Sequence, residues 1–337
     1  MPSPQNKSYV RNKPTYRLAH LLLVIVWLAA LGLVAINRQN IVDWWRLRDY
    51  QAPAAISALA DQDTMTPYGR KVFYVNRPAI NDKSVFNQAC PNHGGEQTIV
   101  LGCYNGGQAG IFLLSVDDPR LNGVQQVTAA HEMLHGAYER LSSGERKKVD
   151  AMLTDYYHNG LQDERIKKTI EAYKKSEPND LTNEMHSVFG SEVAQLPAPL
   201  ETYYQRYFTK RSQVAAFGAQ YQAEFTSRRA QIDQYDAQLN DLKNQIDAGQ
   251  ASLKTRQAEI NSEQARLNSL RSGGNIAAYN AGVPGYNGLI DDYNAEVARL
   301  QGLIANYNSL VNTRNAVALE ADQLSKELSN DVPTLHK

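Results

Sequence analysis

The stretch VTAAHEMLHGAYERL, residues 127–141, decides how the middle of this 337-residue chain is read. Ala130, Met133, Leu134, Ala137 and Leu141 recur at helical spacing, which predicts an amphipathic helix from about residue 124 to 141. Gly144 follows just beyond it, where helices tend to stop. His131 and His135 stand four apart, so on a helix they share one face away from the apolar one. Glu132 sits about 60° from His135 around the axis. Two imidazoles so placed can hold one metal ion together, with a carboxylate beside them in reach of its water. Chance would produce the same five residues with histidines that merely cap or hydrogen-bond locally. A convincing helix after a β-hairpin weighs against chance.

The flanking segments predict an α+β domain over residues 51–199. APAAISALADQ reads as a helix, and KVFYV, residues 71–75, as a short strand. TIVLGCY (98–104) and GIFLLSV (110–116) are β-rich runs separated by NGGQA, whose asparagine and glycines are hairpin chemistry. Helical patterns follow in KKVDAMLTDYYHNG, ERIKKTIEAYKK and LTNEMHSVFGSEV. Asn179, Asp180 and Thr182 are capping candidates for the last, and Pro197 and Pro199 mark its end.

Residues 200–330 have another character. Ile232, Leu239, Ile246, Leu253, Ile260 and Leu267 recur every seven residues, the seam of a coiled coil. A second series runs through Ile290, Val297, Ile304 and Val311. Between them SGGN (272–275) and GVPG (282–285) are expected to break the helix. Two heptad arms around a break predict an antiparallel helical hairpin, and residues 331–337 a short tail.

Residues 18–36, LAHLLLVIVWLAALGLVAI, are nearly all apolar and just long enough to cross a bilayer core. Lys7, Arg11, Lys13 and Arg17 precede them without an acid, so residues 1–17 are expected in the cytoplasm and the rest outside. Residues 37–50 are expected to be a juxtamembrane linker. The length of the run and the lack of an A-x-A site favour a single-pass anchor over a cleaved signal. Cys90 and Cys103, the two cysteines, are expected to form a disulfide there, worth about 3 kcal/mol in the chain-entropy picture. Equal numbers of basic and acidic residues, 35 each, give no sign of a nucleic-acid partner.

Zinc needs a third protein ligand and an open fourth position. The metzincin pattern would require a histidine where this chain has Leu141. A later helix carries NEMHS, with Asn183, Glu184 and Ser187. With HEMLH, this resembles the glutamate-liganded zinc metallopeptidases, the gluzincins typified by thermolysin. The resemblance covers these two helical segments and implies Glu184 as the third ligand of one Zn2+ per chain. His186, Asp155 and His158 are the rival ligands. Glu192, two turns beyond Glu184, is a candidate to orient a ligand histidine.

The resemblance also implies hydrolysis of a peptide or protein substrate, with Glu132 as general base. His186, Tyr138, Tyr203 and Tyr204 are the candidate donors to the transition state. By analogy the GIFLLSV strand is the edge that pairs with substrate. Two other readings compete. One is an envelope scaffold or adaptor whose coiled coil binds a protein partner or a second copy. The other is a zinc amidase of cell-wall peptides.

Overall fold

The computed structural model describes residues 1–4, 14–91 and 101–329, without the side chains of residues 14–18. The basic residues Lys7, Arg11 and Lys13, the side chain of Arg17, the start of the 98–104 strand and the 331–337 tail lie outside the described residues.

In chain order the elements are α1 (Pro14–Leu47), α2 (Ala54–Gln62), α3 (Pro67–Val75), β1 (Ala79–Asn81), α4 (Lys83–Ala89), β2 (Gly102–Asn105), β3 (Gly110–Leu114), α5 (Val124–Glu139), α6 (Ser143–Asp155), α7 (Glu164–Ser176), α8 (Leu181–Glu192), α9 (Ala198–Tyr204), α10 (Arg211–Ser272) and α11 (Ile276–Leu328). A small sheet and many helices make the chain α+β, with one apolar helix near the N-terminus long enough to cross a membrane.

Local chemistry sets several boundaries. Thr66 accepts from the Gly69 amide at 3.0 Å, and Pro67 fills the first helical position of α3. KVFYV is therefore the end of a helix and not a strand; its β-forming residues pack in the core as helical side chains, Val72, Phe73 and Val75 being fully buried. Ser142 and Glu145 form a capping box at the start of α6. Asp180 precedes α8, but its carboxylate accepts from the Asn183 side chain at 2.8 Å instead of capping.

The sheet order is β1-β3-β2. The expected hairpin forms, with Cys103 opposite Phe112 in antiparallel register. β1 pairs parallel to the far side of β3, Ile80 opposite Leu113. The GIFLLSV strand is thus central, and the edge expectation for it does not hold. Among the described residues β2 is the outer strand on that side. Cys90 and Cys103 stand at disulfide-bonding distance, tying the end of α4 to β2.

The main core gathers Met133, Leu134, Val188, Phe189, Tyr204 and Phe208 with residues of α2, α3 and β3. It extends past residue 199, since Leu200, Tyr207 and Val214 belong to it. Gly190 lets α8 cross close over α5, because a Cβ there would run into the Leu134 side chain. Gly123, just before α5, has φ of 105°, and a Cβ on it would lie 2.5 Å from the Phe217 carbonyl oxygen of α10.

α10 and α11 are long helices packed antiparallel around a turn at Gly273 and Gly274. Arg256 pairs with Asp292 at 3.3 Å and Arg314 with Asp236 at 3.0 Å, which fixes the register. Ile260, Leu267 and Leu300 are buried in the seam, but Ile304 is 39% exposed and the neighbouring Leu303 turns inward. GVPG does not break the helix. Pro284 lies inside α11, where Gly282 packs against Leu267. The end of α11 returns to the domain, burying Leu324 and Leu328 against Leu121 and Val124.

Residues 37–47, expected as linker, are the last turns of α1. Asp43 is 2% exposed and docks against α3 and the end of α5.

Candidate functional site

The apolar face of the histidine helix is buried as its pattern requires: Ala130, Met133 and Leu134 are fully inaccessible. This turns His131 and His135 toward a cleft of about 480 Å³. α8, held close by Gly190, brings its first turn to the same place. The Nε2 atoms of His131 and His135 are 3.0 Å apart. Glu184 Oε2 lies 3.7 Å from His131 Nε2, and Glu184 Oε1 lies 3.5 Å from His135 Nε2.

These spacings can be compared with what an ion needs. Ligands about 2.0–2.1 Å from a tetrahedral zinc lie roughly 3.3 Å from one another. The three separations, two of them to different oxygens of Glu184, lie around that value. Two imidazoles and one carboxylate form a donor set that could hold a metal ion. Burial pushes the Glu184 carboxyl upward, but the neighbouring His135 and His131 pull harder, and its pKa ends lowered. The group is buried and acidic where an ion would be welcome, with the cleft open on one side.

Glu132 lines the same cleft and is 6% exposed. Beneath it runs Gly102 of β2; a Cβ at that position would lie 2.7 Å from Glu132 Oε1 and 2.5 Å from Thr128 Cγ2. β2 therefore passes directly against the carboxylate.

Other expected residues fall elsewhere. His186 is fully buried behind α8 among Tyr138, Tyr203, Tyr204 and Tyr207. Its Nε2 meets the Tyr203 hydroxyl at 2.9 Å, and it is absent from the cleft lining. Burial first, then the charges of His135 and His131, drive its pKa down to about 3. Tyr138 donates to Asp150 at 2.7 Å, and Tyr204 donates to the His186 carbonyl at 2.7 Å. None of the four candidate donors lines the cleft; His186 is turned away because it stands two positions, about 200°, from Glu184 on the same helix. Asp155 and His158 are exposed and also outside the cleft. Glu192 does line the cleft, where Arg165 donates to it at 2.6 Å in place of a histidine.

The cleft also contains residues the sequence reading passed over. Tyr173 of α7 and Tyr221 of α10 contribute to its wall, as do Glu177 and Asp180. The carboxylates of Glu177, Asp180 and Glu184 converge within 4.8 Å of one another. Burial, followed by the negative charge of Glu192, pushes the Tyr221 phenol up to about 12, so it stays protonated. Tyr221 was hidden because its helix reads as part of a distant arm. Cys90 and Cys103 also line the cleft.

Comparison of the chain with protein-family models, curated proteins and solved structures finds no match in any of the three.

Proposed function

We propose that the chain is a membrane-anchored zinc metallopeptidase acting outside the cytoplasm, with His131, His135 and Glu184 as ligands. The observation that carries the reading is the convergence of those three side chains, at spacings suited to one tetrahedral ion, with Glu132 beside them in an open cleft. Zinc bound there supplies Lewis acidity, acidifying water to a pKa of about 7 and polarising a peptide carbonyl.

The remaining work falls to the chain itself. Glu132 accepts a proton from the attacking water and returns it to the leaving amine. The protonated phenol of Tyr221 in the cleft wall supplies the hydrogen bond that a tetrahedral oxyanion needs. β2, the outer strand among the described residues, offers its backbone to an extended substrate, the role first expected of the strand beside it. The apolar helix and the basic residues before it support the single-pass anchor. The seam between α10 and α11 supports a coiled-coil arm, whose outer faces are left for a protein partner.

Metal analysis of the full chain in detergent should find about one zinc per chain. Glu132→Gln should keep the zinc and abolish peptide hydrolysis. Wild-type protein that binds no zinc, or Glu132→Gln that still cleaves peptides, would refute the proposal.

A further inference from the structure

We propose that Ile41, Trp44, Trp45 and Arg48 form a lipid-facing seat that holds the protein in the polar layer of the outer leaflet. The proposal rests on the reading of residues 18–36 as a membrane span.

Beyond the apolar run, α1 continues without a break to Leu47 and presents two faces. Asp43 and Arg46 face the domain: Arg140 donates to Asp43, and Arg46 donates to the carbonyls of Val75 and Gln108 at 2.8 Å each. Residues 41, 44, 45 and 48 share the other side at helical spacing. Ile41 is 47% exposed, Trp44 61% and Trp45 66%. The Arg48 guanidinium lies over both indoles, 5.9 Å from the Trp44 ring centre and 4.8 Å from that of Trp45, while pairing with Asp49 at 2.9 Å. Two amphipathic rings capped by a guanidinium match a layer of phosphates and glycerol esters.

The height is right for that layer. Trp44 is eight residues past Ile36, about 12 Å along the axis. Side chains on a helix lean toward its N-terminus, here back toward the span, by roughly one turn. Headgroup layers extend about 5–8 Å beyond the hydrocarbon core on each side. The indoles reach into that zone.

A second copy of the chain is the other occupant to weigh. Two indoles offer about 150–250 Å² each even when fully covered. A stable protein interface buries about 1,200 Å² or more. The patch is far too small for that, and it continues the exposed apolar surface of the span on the same helix. Because Arg140 ends the histidine helix and pairs with Asp43, the helix that carries the seat is tied to the element that carries both histidines.

Trp27, Trp44 and Trp45 are the three tryptophans of the chain, which makes the test direct. The full protein is reconstituted in vesicles of lipids brominated either near the glycerol end or near the middle of the acyl chain. In Trp27→Phe, emission comes from the seat alone; the shallow bromine should quench it at least two-fold more than the deep one. In the double variant Trp44→Phe/Trp45→Phe, emission comes from Trp27 and the deep bromine should dominate. Emission from Trp27→Phe that responds to neither label, or that changes only with protein concentration, overturns the seat while quenching of Trp27 preserves the span. If Trp27 itself is not quenched, the span falls and the seat falls with it.

Discussion

Arg140, at the end of the histidine helix, grips Asp43 of the N-terminal helix with two parallel hydrogen bonds of 2.8 Å each. Their side chains are 8% and 3% exposed, and Lys71 adds a contact to Asp43 at 3.5 Å. Residues 97 positions apart thus fasten the apolar helix to the element that carries both histidines. A two-pronged guanidinium–carboxylate pair fixes orientation as well as distance.

Breaking that pair should cost most at Asp43, because Arg140 is then left buried without its carboxylate, whereas Arg140→Ala leaves Asp43 facing Lys71 at 3.5 Å. Asp43→Ala should lose about 3–5 kcal/mol and Arg140→Ala less. Replacing both by apolar residues of similar volume, as in Asp43→Leu/Arg140→Met, should lose much less. Denaturant unfolding of the full chain in detergent measures all three, and equal losses from single and double variants would contradict the account.

Metal binding should be legible as stability. A ligand that binds only the folded state at a hundred times its dissociation constant adds about 2.7 kcal/mol. Zinc should therefore raise the unfolding temperature of the wild type. Glu184→Ala should abolish most of the rise, as should His131→Ala, whereas Glu132→Gln should retain it. Retention of the full rise in Glu184→Ala would remove that carboxylate from the ligand set.

Gly102 offers a way to move Glu132 without touching it. An added methyl group would meet Glu132 Oε1 at 2.7 Å and Thr128 Cγ2 at 2.5 Å, so the carboxylate must shift. Displacing a catalytic group by about 1 Å can cost roughly 10²-fold in rate. Gly102→Ala should lower kcat by that order while the zinc content stays near one per chain. An unchanged kcat would place Glu132 outside the proton transfer.

Much of this arrangement is present in the sequence, and the rest shows where local pattern stops. The histidine helix and the long arms are readable because their apolar periods are unbroken over several turns. Glu184 was reached through its resemblance to a motif. By contrast, KVFYV carries β-branched and aromatic residues that suggest a strand, but the Thr66–Pro67 start just upstream sets a helix first. Pro284 misleads in the opposite sense, since tertiary packing on α10 keeps α11 helical around it. The pairing of Asp43 with Arg140 and the arrival of Tyr221 in the cleft depend on contacts between distant segments. No window of sequence contains them.

Asp63 should make stability fall as pH rises. It is fully buried, neither carboxylate oxygen has a hydrogen-bond partner among the described residues, and burial pushes its pKa well above 3.8. The folded state therefore holds a proton that the unfolded chain releases near pH 4. Its contribution is fully present below that pH and is lost as pH climbs toward the raised folded value. Asp63→Asn removes the ionisable group and should stabilise the protein by about 1–3 kcal/mol near neutrality, with no gain at pH 3. Unfolding temperatures of both proteins from pH 3 to 8 provide the check. A difference that does not grow with pH would show that the carboxyl is already satisfied.

The arm can be shortened without entering the domain, provided the cut respects both register and core. Removing everything after residue 211 would strip Val214 and Ala215 from the interior and Tyr221 from the cleft. The register set by Arg256 with Asp292 and Asp236 with Arg314 permits a gentler change. Excising residues 239–266 and 283–310 takes four heptads from each arm and rejoins both helices in phase, with Leu267 still against Gly282. The shortened protein should keep its zinc, its unfolding temperature near that of the parent, and cleavage of a small peptide within about two-fold. Cleavage of a large protein substrate, or capture of a partner, is where a loss should appear if the distal arm recruits. A collapse of small-peptide cleavage with zinc retained would instead make the distal arm part of the cleft's architecture.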